Sequence, residues 1–299
     1  MSVGDRTAEL KLPPGKRTNW WRRVATIAAI LAVYLGSVAG YFWIDSATHT
    51  VEPGNLLAAD ETVVVLDITA IHPLDNTADV SVIVIPDKSL QDPEFGLVNT
   101  DVFVRLYPIS EFGELYFPAG HFPERATTSI NVNGNANQWP FDWYSTGAIS
   151  ADVFVGTGDA RRYVPARVEV SGSLYGWDIR SERVGPVVHP GGPSDNLTLS
   201  FTRSRGPLAL ILGICLVLLA LPALALFAAI EMLLGKKQFQ PAFSSWFAAM
   251  LFAVVPIRNF LPGDPPPGSW IDEALVLWVL IALVAAMVIY VVAWARRSN

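Results

Sequence analysis

Residues 207–234 read P-L-A-L-I-L-G-I-C-L-V-L-L-A-L-P-A-L-A-L-F-A-A-I-E-M-L-L, about 28 residues with a single charge, Glu231, near their end. At ~1.5 Å of rise per residue, about 20 such residues cross the ~30 Å hydrocarbon layer of a bilayer. Lipid offers the backbone no hydrogen-bond partners, so the expected conformation is a helix. Pro207 suits the first helical turn, where its missing N–H costs nothing. Pro222 falls mid-run and is expected to kink the helix by removing one backbone bond. The excess length predicts tilt or an extension beyond the bilayer.

Three other runs share this character. Residues 24–44 follow a basic tail, 1–23, that carries Pro13-Pro14-Gly15 and reads as disordered. They form a first span of about 21 uncharged residues, longer than the ~7–15 residues of a cleaved signal peptide's apolar region, and are expected to stay as a signal-anchor. Residues 242–261 form a third span and 271–294 a fourth, separated by a Pro-rich outer loop at 262–270; 295–299 form a short tail. The whole is 52% apolar and 16% charged, against about 25% charged in soluble domains.

Basic residues set the orientation. Arg22 and Arg23 precede the first span, Lys236 and Lys237 lie between the second and third, and Arg296 and Arg297 follow the fourth. One arrangement puts all three clusters in the cytoplasm, with both termini inside and residues 45–206 extracytoplasmic. Arg203 and Arg205 dissent from it. Trp20, Trp21, Trp43, Trp270 and Trp294 fall at the expected interfaces.

The segment 45–206 carries 21 Asp and Glu against 10 Lys and Arg. Such an acidic surface argues against nucleic acid as a partner. Runs rich in β-branched residues recur in it between turn signals: Thr62–Ile71, Val80–Ile85, Asp101–Tyr107, Thr127–Val132, Ile149–Val155, Ala166–Val170 and Leu197–Phe201. Val102-Val104-Leu106 and Val168-Val170 alternate with polar neighbours, as half-buried strands do. Asn133-Gly134 is a hairpin-type turn signal. Seven or eight short strands predict an antiparallel β-sandwich. The fold class is therefore an α+β membrane protein, about four transmembrane helices with an extracytoplasmic sandwich. The lone cysteine, Cys215, excludes an intrachain disulfide.

Two stretches stand out. In Trp139-Pro140-Phe141-Asp142-Trp143-Tyr144, Pro140 presets a turn and Asp142 can bond nearby backbone. The plain reading is a tight turn pinned to the sandwich by aromatic rings. The functional one is a docking loop against the membrane or a transmembrane neighbour, with Trp139, Asp142 and Trp143 as contact or coupling residues. A similar Phe-Pro-Phe-Asp loop couples sandwich to pore in pentameric ligand-gated channels, although those place all four helices after the sandwich. The second stretch is Pro256-Ile257-Arg258-Asn259-Phe260-Leu261-Pro262-Gly263-Asp264-Pro265-Pro266-Pro267-Gly268. Its prolines predict a stiff extended crossing. Arg258 at the end of the third span faces Asp272 and Glu273 at the start of the fourth, and a clasp among them would neutralise a costly charge. Arg258 is also a candidate contact for an anion or a partner.

His49, His72, His121 and His189 fit no zinc spacing, and His121 with Glu124 is a lone H-x-x-E. Gly156-Thr157-Gly158-Asp159 lacks the strand-to-helix context of a phosphate cradle, and Asn196-Leu197-Thr198 is a glycosylation sequon. No cofactor, metal or catalytic residue is expected. Ionisable residues are missing from the middle of the spans, which argues against a proton-coupled transporter.

The order of basic tail, anchor, β domain with a W-P-F-D loop and three closing helices resembles a bacterial family, found in high-GC Gram-positive organisms, known as domain of unknown function 4436. The P-I-R-N-F-L-P-G-D-P-P-P-G stretch is the most specific part of the resemblance, and Trp139 stands where the family has Tyr. The resemblance implies a membrane location and no activity. Together these features predict a non-enzymatic plasma-membrane protein, in contact with the lipid bilayer, whose sandwich binds an envelope or membrane protein partner or supports the envelope. Alternatives are a pore- or channel-like homo-oligomer, for which Ser244 and Ser245 are the few polar candidates, and an envelope enzyme acting through the outer domain.

Overall fold

The computed structural model describes residues 61–298, apart from 93, 109–112, 190, 191 and 239, together with scattered positions between 24 and 40. Those scattered positions are helical, and they belong to a unit, Met1–Ala47, separate from the unit that holds the rest of the chain. The basic tail, the remainder of the expected first span and His49 lie outside the described residues.

Two sheets build the β domain. The larger has the order β10-β11-β6-β5-β2-β1-β9 and the smaller β4-β3-β7-β8. In the larger sheet the strands are β1 (Thr62–His72), β2 (Thr77–Ile85), β5 (Ala126–Gly134), β6 (Trp143–Thr146), β9 (Ala166–Ser171), β10 (Trp177–His189) and β11 (Gly192–Arg203). The smaller sheet holds β3 (Val102–Tyr107), β4 (Glu114–Phe117), β7 (Ser150–Val155) and β8 (Arg162–Val164). Alternate residues from both sheets, among them Val80, Val82, Val104, Leu106, Val153, Val168, Leu199 and Phe201, fill one core. β1 departs from alternation: Val63, Val64, Val65 and Leu66 are all buried, so a continuous apolar run here marks a strand covered on both faces.

Among the described strands pairing is antiparallel, with one exception. β1 and β9 pair in parallel, Val64 opposite Val168. The reason is a change of sheet: β8 in the smaller sheet is followed, after Pro165 alone, by β9 at the edge of the larger one. A proline offers no N–H to either ladder, which suits a corner between them. The described strands number eleven rather than seven or eight. The extra ones include the short β4, β6 and β8 and the long β10, whose charged residues mask its strand character. Asn133-Gly134 is not the turn itself. Both residues still pair, with Ser145 and Tyr144, and the chain turns over residues 135–142. Gly134 is required because a Cβ there would sit 2.1 Å from Cδ1 of Tyr144. Gly156-Thr157-Gly158-Asp159 turns the chain between β7 and β8, and Asn196 is buried within β11, which removes the sequon as an exposed acceptor.

β11 passes through Ser204 directly into helix α1 (Arg205–Leu233), which continues unbroken through Pro222. Helix α2 (Phe243–Asn259) follows, then a single π-helical turn (Asp272–Val276) and helix α3 (Leu277–Ser298). α1, and Asp272–Arg296 across the π turn and α3, are long and apolar enough to cross a membrane. α2, with 17 residues, is shorter. Leu218, Pro222, Ala225, Ala229 and Met232 form a buried stripe on α1. Val279, Leu283, Ala286, Tyr290 and Ala293 repeat the same 4-3-4-3 spacing on α3 and share its cluster. The alanines let the two backbones approach closely. Tyr290 also donates to the Gln240 carbonyl at 3.0 Å, tying α3 to the connection before α2.

Candidate functional site

The feature that sets this molecule apart is the junction where loop 135–142 of the β domain meets the helices. The loop opens with Asn135, whose side chain accepts from the Asn137 N–H at 3.0 Å and caps a short 3-10 turn, Ala136–Gln138. That turn delivers Trp139 away from the sheet core. Trp139 is fully buried, yet its neighbours are Ile211 of α1, Leu261 after α2 and Ile271 before the π turn. Its apolar surface thus joins the β domain to three separate stretches of the helical half.

Asp142, three residues on, is 2% exposed. Its two oxygens accept from Arg203, Nε to Oδ1 at 3.0 Å and Nη2 to Oδ2 at 3.1 Å. This is the parallel two-bond geometry that guanidinium and carboxylate favour. The Arg203 guanidinium also lies 4.0 Å from the ring centre of Trp177, so its charge is met on its edge and on its face. Burial, and then the nearby Asp142 carboxylate, push the Tyr144 hydroxyl well above its usual range, while Arg203 opposes them. Gly263 closes the site from the helical side. Its φ is +86°, and a Cβ there would lie 2.7 Å from Nη1 of Arg203. Asp264, next to it, also has a left-handed backbone, at φ 44°.

The flanking aromatics behave differently. Phe141 stacks on Trp270 with centroids 6.0 Å apart, and Trp270 Nε1 donates to the Gln138 carbonyl at 3.2 Å. Trp143 is 56% exposed and remains available at the surface.

Arg258 lies at the end of α2. It donates to Asp272, Nε to Oδ1 at 2.9 Å and Nη2 to Oδ2 at 2.7 Å, and to the Pro265 carbonyl at 3.1 Å. The Gly268 N–H also donates to Asp272, at 3.1 Å. Prolines carry acceptors without donors, so a loop rich in them turns its carbonyls to a guanidinium at no cost in unpaired N–H groups. Glu273 is exposed and takes no part in this contact among the described residues. The structure therefore brings Arg258 to Asp272, and Asp142 to Arg203, as two separate pairs. One loop touches both, through Gly263 on one side and Pro265 on the other.

Arg203 escaped selection as a site residue. The available signal was its position against the charge pattern of the other basic residues; in the structure its charge is met by the buried Asp142 carboxylate. The histidines are scattered: His72 Nε2 meets Asp79 Oδ2 at 2.9 Å, and His121 Nδ1 lies 3.0 Å from the Ala119 carbonyl. The described side chains do not include His189. On the outward face of the smaller sheet, Tyr116, Phe103, Phe154 and Tyr163 form a row across all four strands. Arg161 lies over Phe103 and Phe154, and Arg105 and Arg161 both donate to Glu114. These contacts hold the Glu114 carboxyl below its usual range, Arg161 contributing most.

Fold and junction together define a class: a mostly antiparallel β domain continuous with, and keyed into, a set of apolar helices. Residues 52–199 match the family described as Domain of unknown function (DUF4436). Residues 203–297 match a second family, Domain of unknown function (DUF8686). Asp142 lies in the first matched segment and Arg203 opens the second, so the buried pair joins the two. No curated protein matches the chain.

Proposed function

We propose that this is a non-enzymatic, four-span plasma-membrane protein that presents its β domain, as a sandwich, to a partner on the extracytoplasmic side. The observation that carries the reading is the buried Asp142–Arg203 pair beside Trp139. It holds the β domain against the helices at a fixed attitude, as a presenting or force-bearing domain requires and a tethered catalytic domain does not. Residues 24–44 and the short α2 supply the first and third spans, with both termini in the cytoplasm. Trp143, exposed beside the keyed loop, is the contact offered to the partner; Arg258 and Asp272 keep the outer loop in shape.

Topology is tested by labelling intact cells with a membrane-impermeant maleimide after Cys215→Ala. Cysteine at Lys88 is expected to label directly and cysteine at Lys237 only after permeabilisation; the reverse pattern, or labelling of neither, would overturn the arrangement. Native mass spectrometry of the gently extracted chain then tests presentation. A stoichiometric second protein, lost on Trp143→Ala, supports it. A closed ring of identical subunits would favour instead the pore reading, for which the meeting of the Pro-Phe-Asp loop with the helices is the supporting observation.

A further inference from the structure

A cavity of about 340 Å³ lies beside the Asp142–Arg203 pair, between the β domain and the first turns of α1. That volume falls in the range of small-molecule sites. One wall is apolar, formed by Pro207, Leu208 and Ile211. It continues along α1 into the exposed Leu212 and Leu216, a path for a hydrocarbon chain. The lining also carries Asp75, Asp264 and Tyr175, all exposed. Arg203 also lines the cavity, but both oxygens of Asp142 and the Trp177 ring engage its guanidinium, so the pair contributes no net charge. Among the described residues no side chain engages Asp75 or Asp264. Two carboxylates and an 82% exposed tyrosine ring at the mouth, with an apolar wall behind, complement a cation carried on an alkyl chain.

We infer that this cavity binds a membrane lipid with an ammonium head group, its chain lying along α1 and its ammonium between Asp75 and Asp264. The inference rests on the membrane reading above and adds a ligand class to it. The test uses the full chain, first shown to stay with the membrane on alkaline carbonate extraction and then purified in a neutral maltoside detergent. It is offered equimolar phosphatidylethanolamine and phosphatidylglycerol with identical acyl chains, and retained lipid is counted by native mass spectrometry.

The expected result is preferential retention of phosphatidylethanolamine, on the order of fivefold for two exposed ion pairs. Asp75→Asn with Asp264→Asn should abolish the preference, and Leu208→Trp should reduce retention of both lipids. Equal retention, a preference for phosphatidylglycerol, or a preference that survives the double Asn variant would overturn the inference. Displacement of the bound lipid by free ethanolamine at equal concentration would reject a lipid in favour of a soluble amine. A chain released by carbonate fails the membrane reading before any lipid is offered. A chain that stays with the membrane and retains both lipids equally sinks only the inference.

Discussion

Asp142 and Arg203, 61 residues apart in the chain, meet through two parallel N–H···O bonds in a setting where the carboxylate side chain is fully buried and the guanidinium 9% exposed. A pair so placed is less a source of net stability than a constraint on geometry, because each charge is tolerable only while the other is present. Removing one partner, with Asp142→Ala or Arg203→Ala, is expected to cost about 3–5 kcal/mol. The combined exchange Asp142→Leu with Arg203→Met should cost far less than the two single changes summed. Chemical denaturation in detergent micelles, run as a double-mutant cycle, measures the difference.

Trp139 and Trp143, four positions apart, should separate stability from contact. Trp139→Ala leaves a large void among Ile211, Leu261 and Ile271 and is expected to cost about 3–5 kcal/mol. Trp143→Ala, at an exposed position, should change stability by no more than about 0.5 kcal/mol. Thermal unfolding of both variants checks this, and a large loss in the second would place Trp143 in the fold and not at a contact surface.

Two glycines give opposite expectations. Gly263→Ala forces a side chain into a left-handed backbone and against Arg203, and should destabilise by more than about 1 kcal/mol. Gly213→Ala, inside α1 with nothing within 4 Å of the added Cβ, should be neutral or stabilising by up to about 1 kcal/mol. The yield of monodisperse protein and its melting temperature report both.

Arg258→Ala strips Asp272 of its guanidinium partner and the Pro265 carbonyl of a donor. Lower yield of folded protein is expected, and Asp272→Asn should reproduce it. Glu273→Gln should leave yield unchanged. Equal damage from Glu273→Gln would show that the clasp extends beyond the two residues in contact.

Glu114 supplies a pH signature for the β domain. Its folded carboxyl lies below the unfolded value because Arg161 and Arg105 favour the ionised form. The stability it contributes is therefore fully present above the unfolded carboxylate pKa, about 4.3, and is lost as pH falls through the lower folded value. Glu114→Gln should flatten the acid limb of a stability profile and leave the neutral region parallel to that of the parent. An unchanged acid limb would assign the transition to other carboxylates.

Much of the architecture is legible along the chain because it rests on local chemistry. V-F-V-R-L-Y alternates so regularly that β3 could be nothing else, and the apolar runs of α1 and α3 leave little choice. Features that depend on distant partners are not legible. β6 is four residues long and begins with an exposed tryptophan, so it reads as part of the aromatic turn; its strand character comes from pairing with β5 and β11. The parallel pairing of β1 with β9 depends on a change of sheet at Pro165, which no local pattern encodes. At the junction the rings and Asp142 were visible as an unusual cluster. Their socket was not, since Arg203, Ile211, Leu261 and Ile271 carry no motif linking them to residue 139. The Arg258–Asp272 contact was the more accessible of the two pairs, because it closes across a single turn between consecutive helices.

The socket of Trp139 has one more property, which concerns biogenesis. All three of its walls are translated after Trp139 itself, the last of them, Ile271, roughly 130 residues later. At typical elongation rates that interval is on the order of ten seconds. Throughout it the nascent β domain carries an indole whose socket is incomplete. Completion of the chain through Ile271 is what closes the socket, so full burial of the ring reports that these helices have packed against the β domain. A chain truncated before Ile271 would lack one wall of the socket and leave the ring partly uncovered.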